Sequence, residues 1–326
     1  MNMLRQFTVN VKKYPLAWYY VISVLIVILI IPVFLLTGAD VAVEQALEKT
    51  GIQFNTDLVT AFRVVSAEPG AFFGVLLAIL QVAAPDIAVF IVASIAYGRK
   101  GLLKLKNRFR FWKKGMIWQY ALRIWGICIL VFVLMNLASA GLNKLLLAEK
   151  DFVWDINFLS VNFLSGLIIA MFLDAGGLFE ENGWRGFALP LLQKRFRPVQ
   201  ASILLGFLWS MWHIPVKINL LFDYGIINFL SMFFVLTCKF ILISIIMTYF
   251  FNKVGQCTII AIVMHGLSND SIRLGGKVLS ESFIAQQITE INLVMPMLVV
   301  AMFLIKQTKG KLGFIPVDIN LPECKP

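Results

Sequence analysis

The sequence predicts an all-α protein, a polytopic bundle of about eight transmembrane helices. Of its 326 residues, 60% are hydrophobic and 14% are charged, and the mean hydropathy is +0.84. This composition excludes a soluble domain and a disordered chain. Apolar runs of about twenty residues recur, the length that a helix needs to cross the hydrocarbon core. Because these runs are continuous rather than alternating, they favour helices over a barrel.

The predicted spans are the apolar runs at 16–37, 71–97, 116–140, 158–190, 200–222, 228–251, 256–270 and 288–306. The first run is interpreted as a retained span, since it is longer than a usual signal-peptide core and no convincing cleavage site follows.

Lysine and arginine predict which side of the membrane each connection faces, because cytoplasmic loops are enriched in them. The connection at 98–115 holds eight basic residues and no acid, whereas the connection at 38–70 is more acidic than basic. The pattern predicts a multi-pass protein with both termini in the cytoplasm, in the plasma membrane. Residues 38–70 form either an amphipathic interfacial helix or a solvated loop. The basic connection could bind anionic headgroups or nucleic acid, but a topology-setting role is favoured and no nucleic-acid partner is expected.

Charged residues interrupt one apolar stretch, "LFEENGWRGF" at 178–187, which contains Glu180, Glu181 and Arg185. A charged side chain at mid-membrane costs about 2.5–3.5 kcal/mol on insertion scales, so such groups are functional candidates. The chain has only two histidines, His213 and His265, and both lie in predicted spans. Counted from the basic anchors, the acids and both histidines come out roughly 18–24 Å along their helices. Three helices thus bring polar residues to one level.

Spacing within the helices supports a cluster. Glu181 and Arg185 are four residues apart, as are His265 and Asn269, so each pair shares a helix face. Each feature also has a structural explanation, since a Glu–Arg pair is ordinary on soluble helices and a buried histidine often ties two helices together. Two further polar residues in predicted spans, Asp174 and Lys239, are interpreted as packing or snorkelling groups.

The combination resembles the CPBP intramembrane proteases, which include the type II CAAX prenyl endopeptidases and a bacteriocin-processing and abortive-infection branch. Three family motifs are matched in order and spacing, by Glu180, Glu181 and Arg185, by Trp209 and His213, and by His265 and Asn269. The one departure is Trp209, where the family motif has phenylalanine. The resemblance covers residues 180–269.

The resemblance implies an intramembrane endopeptidase that hydrolyses membrane-associated or lipidated peptides and proteins. It implies Glu180 as general base, with His213 helping to hold the attacking water. A carboxylate in low-dielectric surroundings is a stronger base than a solvated one, which agrees with this role. Glu181 is also expected to be a catalytic residue, and Arg185 is expected to orient it.

His265 and Asn269 are expected to donate hydrogen bonds to the oxyanion, and Trp209 to pack over the ring of His213. No serine or cysteine is positioned as an obvious nucleophile, so direct attack by water is preferred to an acyl-enzyme.

Metal dependence is left open. Glu180, His213 and His265 could supply three ligands to an open zinc site, but activation by glutamate needs no ion, and a mechanism without an essential cofactor is slightly favoured. The expected partners are a peptide or membrane-protein substrate and the lipid bilayer. The alternative is a non-enzymatic immunity or scaffold protein of the same fold, and a proton-coupled transporter is the weakest reading.

Three regions are predicted on this basis. Residues 1–150 are N-terminal transmembrane helices with an outer loop and a basic cytoplasmic loop. Residues 151–285 form the catalytic core that carries the motifs, and residues 286–326 contain the last transmembrane helix and a cytoplasmic tail.

Overall fold

The structure, a computed structural model, confirms an all-α membrane bundle. It describes residues 3–53, 55–148, 150–154, 157–269, 276–280 and 282–315. The predicted tail beyond residue 315 lies outside the described residues.

The helices follow in chain order: α1 (Met3–Lys13), α2 (Pro15–Leu36), α3 (Ala39–Thr50), α4 (Leu58–Ala67), α5 (Phe72–Val82, after a 3₁₀ turn at Pro69–Ala71), α6 (Ala84–Arg108), α7 (Trp118–Leu146), α8 (Val161–Leu173), α9 (Ala175–Gly183), α10 (Leu189–Gln193), α11 (Pro198–Val216), α12 (Asn219–Lys253), α13 (Thr258–Ser268) and α14 (Phe283–Thr308). A π-helical turn at Trp184–Ala188 joins α9 to α10. Two short strands, β1 (Phe152–Val153) and β2 (Lys277–Val278), pair antiparallel.

Within the described residues, five helices are long and apolar enough to cross a membrane, namely α2, α7, α11, α12 and α14. The pair formed by Pro69–Val82 and α6, bent by 55° between them, makes a sixth if it counts as one broken span. The helices α8 and α13 are apolar but shorter. The polytopic bundle is confirmed, whereas the number of eight spans is not.

The fourth predicted span, 158–190, differs most from its prediction. Asp174 adopts an extended conformation (φ −63°, ψ 127°), which ends α8, and its side chain caps α9 by accepting a hydrogen bond from Gly177 N at 2.7 Å. An aspartate before a helix satisfies backbone N–H groups that would otherwise lack partners. The predicted straight span is therefore a chain of shorter pieces.

Two predicted connections are largely helical. Residues 38–70 contain α3 and α4, which decides that region in favour of helices. In the basic connection, α6 continues to Arg108 through a bend at Gly98, whose φ of 58° favours glycine. The lysine and arginine side chains at 99–108 therefore project from a helix.

Close packing of α8, α9 and α13 brings the polar residues of α9 next to α13. A Cβ at Gly177 would lie 2.7 Å from the carbonyl oxygen of Ile262 on α13, and one at Gly266 would collide with the carbonyl of Ala170 on α8. Small residues allow such backbone approach between membrane helices. The acids of α9 therefore face the end of α13 directly.

Candidate active site

The acidic motif lies where α9 changes into the π-helical turn. Glu180 and Glu181 are in the last turn of α9, and Arg185 is in the π segment. Arg185 Nη1 lies 2.7 Å from Glu181 Oε1, and neither side chain is exposed. Single π turns inside helices are frequent at functional sites. The predicted Glu181–Arg185 pair is present and fully buried.

Glu180 is held by two indole rings. Trp184 Nε1 and Trp209 Nε1 each donate to Glu180 Oε2 at 3.1 Å. Among the described residues, no hydrogen bond engages Oε1. One carboxylate oxygen is thus fixed, and the other is left to accept a proton.

Trp209 has a larger role than the predicted packing over His213. Its ring centroid lies 6.4 Å from that of His213 and 5.2 Å from that of His265. The guanidinium carbon of Arg185 lies 4.2 Å from the ring centroid, a cation–π distance. Trp209 therefore contacts all three motifs, and its N–H supplies a hydrogen bond that phenylalanine could not make.

His213 presents one ring nitrogen for chemistry. Its Nδ1 lies 2.8 Å from the carbonyl oxygen of Trp209. Because a carbonyl only accepts, Nδ1 carries the proton, and in the neutral ring Nε2 keeps its lone pair. The ring packs on Phe240, with centroids 4.5 Å apart.

His265 is oriented by Glu181, a contact that spacing along the sequence did not predict. Its Nδ1 lies 2.8 Å from Glu181 Oε1, the oxygen that also binds Arg185. Its Nε2 faces Gly176, where a Cβ would lie 2.6 Å away. Glu181 thus joins the first motif to the third.

Asn269 contacts Asp174, a residue that lies outside the three motifs. Its Nδ2 donates to both carboxylate oxygens of Asp174 at 3.1 Å, and Thr56 Oγ1 donates to Asp174 Oδ2 at 2.7 Å. Asp174 is fully buried and joins α9, α13 and the loop before α4. The role of Asn269 as an oxyanion donor stays a prediction.

Asp86 is a second buried acid that the sequence reasoning missed. It accepts hydrogen bonds from Asn182 Nδ2 at 2.6 Å and from Gly183 N at 2.9 Å. It therefore ties α6 to the end of α9 beside the acidic motif. The available signal was an acid just after Pro85 in the middle of the predicted span at 71–97.

The proposed zinc ligands do not form a metal site in this arrangement. Among the described residues, no three His, Cys, Asp or Glu side chains are grouped so that they could hold an ion. Glu180 Oε2 accepts hydrogen bonds from indole N–H groups, and the rings of His213 and His265 both lie near that of Trp209. The preference for a mechanism without an essential metal ion stays a prediction.

The fold and the site define an integral membrane protein whose bundle buries a carboxylate–histidine cluster drawn from three helices. Residues 160–270 match the family model described as type II CAAX prenyl endopeptidase Rce1-like. The resemblance predicted from the three motifs is confirmed over this part of the chain.

A curated relative supports the same conclusion. The chain is similar to CAAX prenyl protease 2 of Methanococcus maripaludis, with 33% identity over 144 residues. The alignment covers 43% of this chain and 50% of the relative, so the chain spans about half the length of the relative that it matches.

Proposed function

We propose that the protein is an intramembrane endopeptidase that hydrolyses membrane-associated or lipidated peptides, with Glu180 as the base that activates water. The observation that supports it most is the environment of Glu180. Two indoles hold Oε2, while Oε1 has no hydrogen-bond partner among the described residues. Such a carboxylate is held still and can still take a proton from water.

The two histidines complete the proposal. The lone pair on His213 Nε2 accepts a hydrogen bond from the attacking water and so fixes its position. His265, held by Glu181, donates through Nε2 in its imidazolium form to the developing oxyanion. Glu180 then returns its proton to the leaving amine, so that water is consumed and the peptide bond is broken without a covalent intermediate.

Substitution of Glu180 tests the catalytic part. Glu180→Gln keeps an oxygen that can accept from both indoles but removes basicity. Cleavage should therefore fall by at least about 10²-fold, the lower end for general-base catalysis. The assay is hydrolysis of a quenched-fluorescent farnesylated Cys-aliphatic-aliphatic-X peptide by protein in nanodiscs. Glu44→Gln, an exposed glutamate of α3, is the matched control.

Unchanged cleavage by Glu180→Gln would exclude Glu180 as the base. If neither the wild type nor the control cuts any of a panel of lipidated and unlipidated membrane peptides, the immunity or scaffold alternative is favoured instead.

We also propose that no metal ion is essential. Wild-type protein stripped with chelators should keep cutting the same peptide. Loss of activity on chelation, with recovery on added zinc, would contradict this proposal and require a rearrangement that brings Glu180, His213 and His265 together.

The proposed orientation has both termini in the cytoplasm of the plasma membrane. It is supported by the basic residues near Lys12 and at 306–311, and by those at 99–114. Cysteines introduced at Lys12 and Lys311 should both be protected from an impermeant thiol reagent in intact cells. Labelling of one position and not the other would show that the ends face opposite sides.

A further inference from the structure

A small cleft lies where the basic end of α6 faces the π-helical turn and α10, and we name it the basic cleft. Its lining includes two cations of α6 and three residues of the facing segment, namely Lys104, Arg108, Phe187, Pro190 and Leu191. The enclosed volume is about 20 Å³, which is room for about one water molecule. A ligand can therefore insert one small group and must keep its remaining atoms outside the cleft.

Arg108 joins the basic cleft to the acidic motif. Pro190 has no N–H group, so it cannot donate to the carbonyl of Gly186, four residues earlier, as a residue of an α-helix would. Arg108 Nη1 donates to this carbonyl from the neighbouring helix. Gly186 directly follows Arg185 in the π-helical turn. The side chain of Arg108 therefore supports the turn that holds the acidic motif.

Arg108 also contacts the start of α13, the helix that carries His265. Its backbone carbonyl accepts a hydrogen bond at 3.2 Å from Oγ1 of Thr258, the first residue of α13. Its Nη2 donates at 3.3 Å to Oε1 of Gln256, two residues before that helix. The position of Arg108 is therefore coupled to two of the segments that form the candidate active site.

Cations gather at this end of the bundle without acids. Hydrogen bonds bring four segments together here, at 98–115, 186–200, 252–258 and 306–315. All four contain lysine or arginine, and none contains aspartate or glutamate. Arg108 and Lys194 both repel the ammonium group of Lys104 electrostatically. An anion bound between these cations would relieve the repulsion.

Exposed apolar side chains accompany these cations. Leu102 and Leu103 are exposed on α6 directly before Lys104, and Phe109 is exposed directly after the helix ends. Exposed leucines next to lysines are typical of a helix at the boundary between acyl chains and headgroups. A soluble anion would match the cations alone. A molecule with a phosphate group and acyl chains matches both features, and this is the chemistry of an anionic phospholipid.

We propose that the basic cleft binds the phosphate of an anionic phospholipid through Lys104 and Arg108, and that the bound lipid promotes peptide cleavage. A guanidinium has five N–H donors, so Arg108 can bind a phosphate oxygen while Nη1 keeps the carbonyl of Gly186. The phosphate offsets the repulsion from Lys104 and so stabilises Arg108 against the π-helical turn. The effect on cleavage rests on the proposed endopeptidase function, whereas the binding of lipid does not.

Lipid binding is tested by native mass spectrometry of the detergent-solubilised protein, titrated with phosphatidylglycerol or phosphatidylcholine. The wild type should bind phosphatidylglycerol at least about tenfold more tightly, as expected for hydrogen bonds between charged groups. Lys104→Met should remove most of this preference, and Lys104→Arg, which keeps a phosphate donor, should retain it. The matched control is Lys106→Met, which removes the same charge from an exposed position of α6 outside the cleft and should also retain it.

The effect on cleavage is measured with the quenched-fluorescent peptide in nanodiscs of phosphatidylcholine, with and without added phosphatidylglycerol. The readout is the ratio of kcat in the two lipid mixtures, so a uniform loss of active protein does not change it. Phosphatidylglycerol should raise kcat several-fold for the wild type, Lys104→Arg and Lys106→Met, but not for Lys104→Met. Inorganic phosphate at the same ionic strength, added in place of phosphatidylglycerol, should not raise kcat.

Equal affinity of the wild type for the two lipids would overturn the proposal. Equal weakening by Lys104→Met and Lys106→Met would also overturn it, because it would show a diffuse attraction to the whole basic end. Activation by inorganic phosphate alone, or displacement of phosphatidylglycerol by an RNA oligonucleotide, would assign the cations to another ligand and likewise overturn it.

The two parts of the proposal are separable. Selective binding of phosphatidylglycerol that depends on Lys104, without cleavage of any peptide, would contradict the endopeptidase function and leave the lipid site supported. Selective binding together with cleavage that does not respond to the lipid would contradict the coupling through Arg108.

Discussion

Arg185 should contribute to the stability of the fold before it contributes to the chemical step. The substitution Arg185→Met tests this with little change of side-chain volume. The pair with Glu181 is fully buried at 2.7 Å, and removal of one partner from such a pair costs about 3–5 kcal/mol. The contact with the ring of Trp209 at 4.2 Å is lost as well. Because His265 also donates to Glu181 Oε1 at 2.8 Å, part of the carboxylate's stabilisation remains. We therefore expect about 3 kcal/mol, the lower end of that range.

The assay is thermal unfolding in detergent, followed by tryptophan fluorescence. A loss of about 3 kcal/mol corresponds to a fall in Tm of about 6–12 °C for a chain of a few hundred residues. Arg123→Met, at an exposed position on α7, is the matched control and should leave Tm unchanged. The double variant with Glu181→Gln should be less destabilised than the sum of the two single variants, since it leaves no unpaired charge. A normal Tm for Arg185→Met, or strict additivity, would refute the buried pair.

Two further substitutions test the geometry around the catalytic groups. Gly176→Ala places a methyl group 2.6 Å from Nε2 of His265, so peptide cleavage should fall at least about tenfold. The control, Gly166→Ala, meets nothing within 4 Å and should have no effect. Equal activity of the two variants would show that this nitrogen is not used. Trp209→Phe introduces the phenylalanine of the motif that this segment resembles and removes one of the two donors to Glu180, so kcat should fall by about tenfold, the scale of one hydrogen bond to a charged group. An unchanged kcat would mean that the second indole alone holds the carboxylate.

The sequence predicted the helical class and the meeting of the three motifs, because both depend on strong local signals. Long apolar runs dictate helices in lipid, and spacings of four residues place Glu181 beside Arg185 on one face. The residues at which the helices begin, bend and end were harder to predict from the sequence. The bends at Gly98 and Gly225, where φ is 58° and 76°, could not be told apart in the sequence from glycines in straight helices, since glycine is common in membrane spans. The number of spans therefore could not be read from hydropathy.

The contacts between the motifs also could not be predicted from the sequence. Spacing along the chain shows which residues are neighbours on one helix, but not which residues of different helices meet. Glu181 was assigned to Arg185 alone, although the same oxygen also binds His265. Trp184 lay inside the first motif and was not recognised as a donor to Glu180. Its signal was the same spacing of four residues that had paired Glu181 with Arg185.

Asp174 shows how the irregular backbone and the chemistry depend on each other. If the fourth span were one straight helix, this carboxylate would lie in the span without a helix terminus to cap. The break at Asp174 exposes the N–H groups at the start of α9, and the carboxylate accepts from one of them while it also holds Asn269 and Thr56. Its burial is thus stabilised by donors from three segments of the chain. The short helix that results carries Glu180 and Glu181 at its other end, within contact distance of α11 and α13. The break at Asp174 makes the number of spans differ from the predicted number, and it also places the first motif next to the histidines.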